Sequence, residues 1–293
     1  MQVVETVAAL RAARAQVTVR VGLVPTMGAL HAGHLSLVEQ ARAECDAVMV
    51  SIFVNPAQFG PNEDLSRYPR DLPHDFEMLQ KAGVDVVFTP IPDEVYPPGF
   101  QTWVEVTEVT RGLEGERRPG HFKGVATVVA KLFHQFQPHA AYFGQKDAQQ
   151  VAVIKRMVRD LDFPLEMVVC PTMREADGLA MSSRNVYLNP EQRQAATVLS
   201  RALRAAGKIY DDGIRHPEKL RAEMLTTLQA EPLAEPEYVS AADARTLQEL
   251  TTPGDAPVLL SMAVRVGTTR LIDNMLLPLA LNTRAGLTQT LGG

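Results

Sequence analysis

Apolar and polar positions along this chain switch between two periods, and the switches set out an order of elements. Val19 to Val24 is a short apolar run, after which Leu35, Leu37, Val38 and Ala41 recur at helical spacing. Ala47 to Val54 is a second continuous apolar run, rich in β-branched residues, the pattern of a strand covered on both faces. Strand, helix, strand in this order predicts a right-handed parallel crossover. The pattern then predicts a helix over Pro73–Lys81 ended by Gly83, a strand over Val84–Thr89 and a half-exposed strand over Thr102–Thr107. An apolar helix over Val125–Phe136, a strand over Ala140–Gly144, a helix from Gln145 to near Leu161 and a strand over Leu165–Cys170 follow. Residues 1–15 read as one amphipathic helix with Val7, Leu10 and Ala13 on its apolar face. Beyond residue 185, helices are expected over Pro190–Asp211 and Pro217–Ala230, and strands over Glu237–Ala242, Val258–Val266 and Thr269–Asn274.

These elements define an α/β fold class: a Rossmann-like parallel-sheet domain over residues 1–175, then a smaller α+β cap domain over residues 176–293. The cap is expected to close over the nucleotide crevice. The polar loops fall at strand ends and helix starts, where an open parallel sheet holds ligands. Pro25 to His34 forms a strand end, a glycine-bearing turn and a helix start. Its N–H groups suit phosphate, Gly28 and Gly33 permit close backbone approach, and His31 and His34 converge if both lie in the first helical turn. After the second strand, Asn55 and Gln58 offer neutral groups suited to a hydroxyl or carboxylate. The long loop through Arg70 reads as a lid or as a rigid connection. Arg118 and His121 lie in a charged, glycine-rich loop that opens a helix, a place for an anion. Lys146 is placed as a point charge for phosphate; Asp147 beside it caps a helix, takes a ribose hydroxyl, or both; Gln150 faces the same side. Ser182, Ser183 and Arg184 follow a strand end and form a phosphate cradle.

Composition narrows the function. A net charge of −5 gives no bulk attraction to nucleic acid. The 2 cysteines, Cys45 and Cys170, have no metal-binding or redox spacing and read as reduced core residues. No leader pattern and no membrane-length apolar run occurs, so a cytoplasmic protein without membrane or nucleic-acid partners is expected. The loops hold no nucleophile with an attached base, so no covalent enzyme intermediate is indicated. They hold what nucleotidyl transfer needs: positioning and charge stabilisation around a substrate oxygen attacking the α-phosphate of ATP.

The string PTMGALHAGHLSLV resembles the HIGH signature of the nucleotidyltransferase and class I synthetase superfamily, and within it the pantothenate synthetase family. GLAMSSRN resembles the mobile KMSKS-type loop of the same superfamily, and these motifs with GQKDAQQ span residues 24–185 in the family's order. The resemblance implies ATP-dependent joining of pantoate to β-alanine through pantoyl adenylate, with AMP and pyrophosphate released. It implies that His31, His34, Lys146 and Arg184 are catalytic. It places Met27, Gly28, Gly33, Gly144, Gln145, Asp147, Met173, Met181, Ser182 and Ser183 with them on ATP. It places Gln58, Gln150 and Asn55 on pantoate, with Tyr68, Arg118 and His121 lining the substrate side. Mg²⁺ and a homodimer are further implications. Where some relatives carry two adjacent acids, this chain has His74-Asp75, so no protein residue is assigned as a metal ligand. The rival readings are another HIGH-type nucleotidyltransferase acting on a phosphorylated small molecule, a class I aminoacyl-tRNA synthetase, and a non-catalytic nucleotide-binding protein.

Overall fold

The structure, a computed structural model, describes residues 1–292. The chain divides into two compact units, Met1–Phe143 with Val153–Cys170, and Gly144–Ala152 with Pro171–Gly293. The segment carrying Lys146 groups with the second unit.

The first unit is built on six strands: β1 (Gln2–Val4), β2 (Val21–Thr26), β3 (Ala47–Ile52), β4 (Val86–Phe88), β5 (Ala140–Gly144) and β6 (Glu166–Cys170). They lie in the order β1-β4-β3-β2-β5-β6 with parallel pairing, the α/β architecture expected. β3 is buried along its whole length, which is why its sequence shows no alternation. The chain steps from β2 outward to β3 and β4, then returns to place β5 on the other side of β2. That reversal is a topological switch point, and the crevice beyond the carboxyl end of β2 is where such a sheet binds ligands. Val24, Val38, Val50, Leu79, Val87 and Tyr142 form part of one packed core in this unit.

In the first unit the structure departs from the sequence pattern at three places. Residues 1–15 are not one helix: Gln2–Val4 pairs with Val86–Phe88, and the helix begins at Val7, where the Thr6 hydroxyl accepts from Ala9 N. Thr102–Thr107 joins no sheet; its alternating exposure is real, but Val104 N donates to the Thr127 hydroxyl rather than to a neighbouring strand. The helix expected from Val125 starts at His121.

The second unit carries an antiparallel sheet of β7 (Ala234–Asp243), β8 (Val258–Val266) and β9 (Thr269–Leu277) in that order. The helices Val198–Asp211 and Pro217–Gln229 share a core with it through Leu199, Leu203, Leu220, Met224, Leu260 and Met262. The single helix expected over Pro190–Asp211 is two, Pro190–Ala195 and Val198–Asp211. Thr197 breaks the run by giving both its N–H and its hydroxyl to Gln194 O. Among the described residues no helix is long and apolar enough to cross a membrane.

Candidate active site

The turn after β2 is shaped by a carboxylate from outside it. Gly28 has φ +80 and Ala29 φ +50, so this turn exposes successive N–H groups. Asp75, 1% exposed, accepts from Ala29 N at 3.0 Å and from Leu30 N at 2.7 Å. A Cβ at residue 28 would stand 2.9 Å from Asp75 Oδ2 and from Ile52 Cγ2, so both the angle and the space require glycine. Burial pushes the Asp75 carboxyl above its usual range, against the two backbone hydrogen bonds that lower it. Asp75 comes from the first turn of the helix Leu72–Lys81, which Asp71 caps.

The turn delivers His31 to the start of the helix Ala32–Glu44, where the two histidines cap each other. His31 Nδ1 accepts from Gly33 N at 3.1 Å, and His34 Nδ1 accepts from His31 N at 3.3 Å. It is a capping box with imidazoles in the usual hydroxyl and carboxylate places. The rings stand 4.1 Å apart. A neutral ring whose Nδ1 accepts carries its proton on Nε2, so each histidine offers an Nε2–H donor at a helix N-terminus. The two rings thus lie side by side, with His31 as the cap itself rather than a residue of the first helical turn.

After β3, Asn55 and Gln58 form a buried turn. Asn55 Nδ2 donates to Gln58 Oε1 at 2.9 Å and to Gly124 O at 3.2 Å, and Asn55 Oδ1 accepts from the Tyr96 hydroxyl at 2.9 Å. Asn55, 1% exposed, thus holds Gln58 in place from behind. Gln58 Nε2 donates to Met27 Sδ at 3.3 Å, so Gln58 and Met27 lie side by side. His121 Nδ1 donates to Gln58 O at 2.8 Å, and its Nε2 accepts from Arg118 Nη1 at 3.1 Å. Burial, helped by the Arg118 charge, pushes the His121 imidazole down to about 4. Arg118 forms a two-point ion pair with Glu63 at 2.7 Å. Burial raises the Glu63 carboxyl, and the Arg118 hydrogen bonds and charge outweigh it and hold it below the usual range. Tyr68, 6% exposed, packs edge-on against Phe59.

In the second unit, Gly144 leads into the 3-10 turn Gln145–Asp147, which carries Lys146. Lys146 Nζ lies 3.7 Å from Asp147 Oδ1. Gln145 is buried and its amide donates to Asn282 Oδ1 at 2.9 Å, so this side chain fastens the turn. Gln150 is half-buried in the helix Ala148–Asp160. The stretch Met173–Met181 folds back on itself, with Met181 N donating to Met173 O and Glu175 N to Leu179 O. It presents Ser182, whose hydroxyl accepts from Arg184 N at 3.3 Å, and then Ser183 and Arg184 in a 3-10 turn. Arg193 ties this stretch down through Glu175 and Asp177. Lys146, Ala180, Ser182, Asn185 and Asp273 line one small pocket. Glu63, Asp75, Arg174, Arg193, Asp273 and Asn274 are absent from the residues expected of a site. Each acts across a long sequence separation, and no local pattern marks it.

No group of three or more His, Cys, Asp or Glu that could hold a metal ion occurs among the described residues. The first unit presents imidazole and backbone N–H, the second ammonium, guanidinium and hydroxyl; each set by itself suits phosphate oxygens rather than a cation.

A parallel sheet with a histidine-capped helix at its topological switch point has the architecture of a ligand-binding α/β enzyme. The sequence profile described as Pantoate-beta-alanine ligase matches residues 2–276. A pantothenate synthetase of Herpetosiphon aurantiacus is 61% identical over 277 residues, covering 94% of this chain and 100% of that protein. The crystal structure of pantothenate synthetase from Thermus thermophilus superposes with a TM-score of 0.90 at 51% identity, covering 94% of this chain and 99% of that one. That of pantoate-beta-alanine ligase from Francisella tularensis, complexed with beta-gamma ATP and beta-alanine, gives a TM-score of 0.78 at 37% identity, covering 94% and 97%. The chain belongs to the pantoate–β-alanine ligase family and is an enzyme of the ligase class.

Proposed function

We propose that this chain condenses pantoate with β-alanine at the expense of ATP, in two steps through pantoyl adenylate. In the first, a pantoate carboxylate oxygen bonds to the α-phosphorus, the bond from that phosphorus to the bridging oxygen breaks, and pyrophosphate leaves. In the second, the β-alanine amine bonds to the acyl carbon, the acyl carbon–phosphate oxygen bond breaks, and AMP leaves while the nitrogen loses a proton. Neither step needs a protein nucleophile. Both need in-line placement and donors aimed at phosphate oxygens whose charge grows in the transition state.

The observation that supports this reading most is the reciprocal histidine cap, which sets both imidazoles at one helix N-terminus. His31 and His34 would stabilise the phosphates. Lys146, Ser182, Ser183 and Arg184 would hold the polyphosphate, and Gly144 and Asp147 the ribose. Met173 and Met181 would flank the adenine. Gln58 and Gln150 would fix pantoate, with Asn55 acting through Gln58, and Arg118 and His121 would order that side. Mg²⁺ enters with ATP as part of the substrate, bound by phosphate oxygens and water, and supplies charge neutralisation there. A homodimer is the proposed assembly, to be read by light scattering.

The deciding experiment is release of pyrophosphate and AMP from MgATP with pantoate, with and without β-alanine. Pyrophosphate with pantoate alone, and sustained AMP only on adding β-alanine, is the expected result. No pantoate-dependent pyrophosphate overturns the reading.

A further inference from the structure

We infer that Asp273 and Asn274, neighbours on β9, are positioning residues for the nucleotide side of the reaction. The inference rests on the assignment of Lys146 to the phosphates of ATP. Successive side chains of a strand leave on opposite faces, so one dipeptide can grip two different segments. Asn274, 3% exposed, gives both hydrogens of its amide to the lysine turn, Nδ2 donating to Gln145 O at 3.0 Å and to Lys146 O at 2.8 Å. Its Oδ1 is buried without a partner. An unmade buried hydrogen bond is costly, and flipping the amide would set oxygen against two carbonyls, so the donors dictate the orientation. The turn has no side-chain cap of its own at Gly144. Its backbone is held from β9, and its Gln145 side chain from Asn282, which also closes on Leu276 N and Leu276 O.

Asp273, 2% exposed, takes the other segment. Its two oxygens accept from Arg174 Nη1 at 2.6 Å and Nη2 at 2.8 Å, and Oδ1 also accepts from Asn274 N. Arg174 in turn donates to Gly178 O at 3.1 Å and bridges to Ala180 in the backbone. The arginine therefore closes the fold-back that ends at Ser182. Lys146, Ser182 and Asp273 line the same pocket, so the dipeptide sets the spacing between the lysine turn and the serine-arginine loop. The sequence shows no catalytic pattern in this region; Asp273 and Asn274 act through Arg174 and Lys146.

The test compares Asn274→Ala, Asn274→Ser and Lys146→Ala with the parent enzyme, measuring KM separately for ATP, pantoate and β-alanine, and thermal unfolding. Asn274→Ala is expected to raise the ATP KM at least tenfold, with the pantoate and β-alanine KM within twofold. Asn274→Ser, which retains one donor, is expected to fall between the two and serves if the alanine variant does not fold. An unchanged ATP KM in a folded Asn274 variant, beside a raised one in Lys146→Ala, overturns the inference. Equal losses toward all three substrates with a lowered unfolding temperature show a structural role only and overturn it too. An unchanged ATP KM in Lys146→Ala removes the phosphate assignment itself, and the inference with it.

Discussion

Arg118 meets Glu63 at two points, Nε on Oε1 and Nη2 on Oε2, each at 2.7 Å. The pair is largely withdrawn from water, with side-chain exposures of 16% and 23%, so it is more than a surface contact. Its third donor, Nη1, goes to His121 Nε2. The guanidinium thus ties the 55–70 loop to the helix His121–Phe136 and, through His121, to Gln58. The geometry gives Arg118 a latching role beside the substrate-side role expected from sequence. Arg118→Met and Glu63→Gln are each expected to raise the pantoate KM and to cost on the order of 2 kcal/mol of stability. The double variant is expected to lose no more than Arg118→Met alone, since both remove one interaction. A much larger effect of Arg118→Met on turnover than of Glu63→Gln would instead put the guanidinium on substrate.

His121 gives the fold an acid limit. Its imidazole is held at about 4 by burial first and by the Arg118 charge second, against the opposing Gln58 O hydrogen bond and the Glu63 and Glu114 charges. The unfolded chain takes up this proton below about 6.5, the native chain only near 4. Between these values the unfolded state binds more protons, so stability falls as pH is lowered through the window and is flat above it. The slope from this residue is at most about 1.4 kcal/mol per pH unit. Denaturant unfolding across the window checks it, with His121→Asn expected to keep a donor for Gln58 O and to flatten the slope.

Asp75 is the support of the histidine turn. Asp75→Asn retains one acceptor and sets an amide hydrogen donor against the other backbone N–H. That is expected to cost about 1–3 kcal/mol. Because Ala29 and Leu30 lead straight into His31, it is also expected to lower pantoate-dependent pyrophosphate formation at least tenfold. Chemical denaturation and single-turnover pyrophosphate release separate the two effects. Near-parental turnover in the folded variant would mean that the histidine cap holds its geometry unaided.

The legible part of this protein was the part written in local patterns. The buried strand Ala47–Ile52 shows as an unbroken apolar run, and the glycine turn with His31 and His34 shows as a motif. Thr102–Thr107 misleads for a physical reason: one exposed and one packed face give strand-like alternation, but Val104 N is satisfied by Thr127 and no ladder forms. Gln2–Val4 was hidden because three residues form a strand only through a partner at Val86–Phe88. The supporting groups of the site were hidden in the same way. Asp75 meets Leu30, and Asp273 meets Arg174, across separations of 45 and 99 residues. In sequence each is one ordinary acid among many.

Gly124 brings the helix His121–Phe136 against the turn that holds Gln58. A Cβ at residue 124 would stand 2.2 Å from Ala57 O and 2.7 Å from Gln58 N, both backbone atoms that cannot rotate away. Gly124 O also accepts from Asn55 Nδ2, so displacing the helix breaks the bond that orients Asn55 and with it Gln58. Gly124 is in a helix, where alanine is intrinsically preferred by about 1 kcal/mol, so propensity alone predicts stabilisation. The contact predicts the reverse: overpacking of this kind costs about 1–3 kcal/mol. Gly124→Ala is therefore expected to unfold at a lower denaturant concentration and to raise the pantoate KM several-fold while leaving the ATP KM within twofold. A stabilised variant with an unchanged pantoate KM would show that the turn yields to the methyl group and that Gln58 does not depend on this contact.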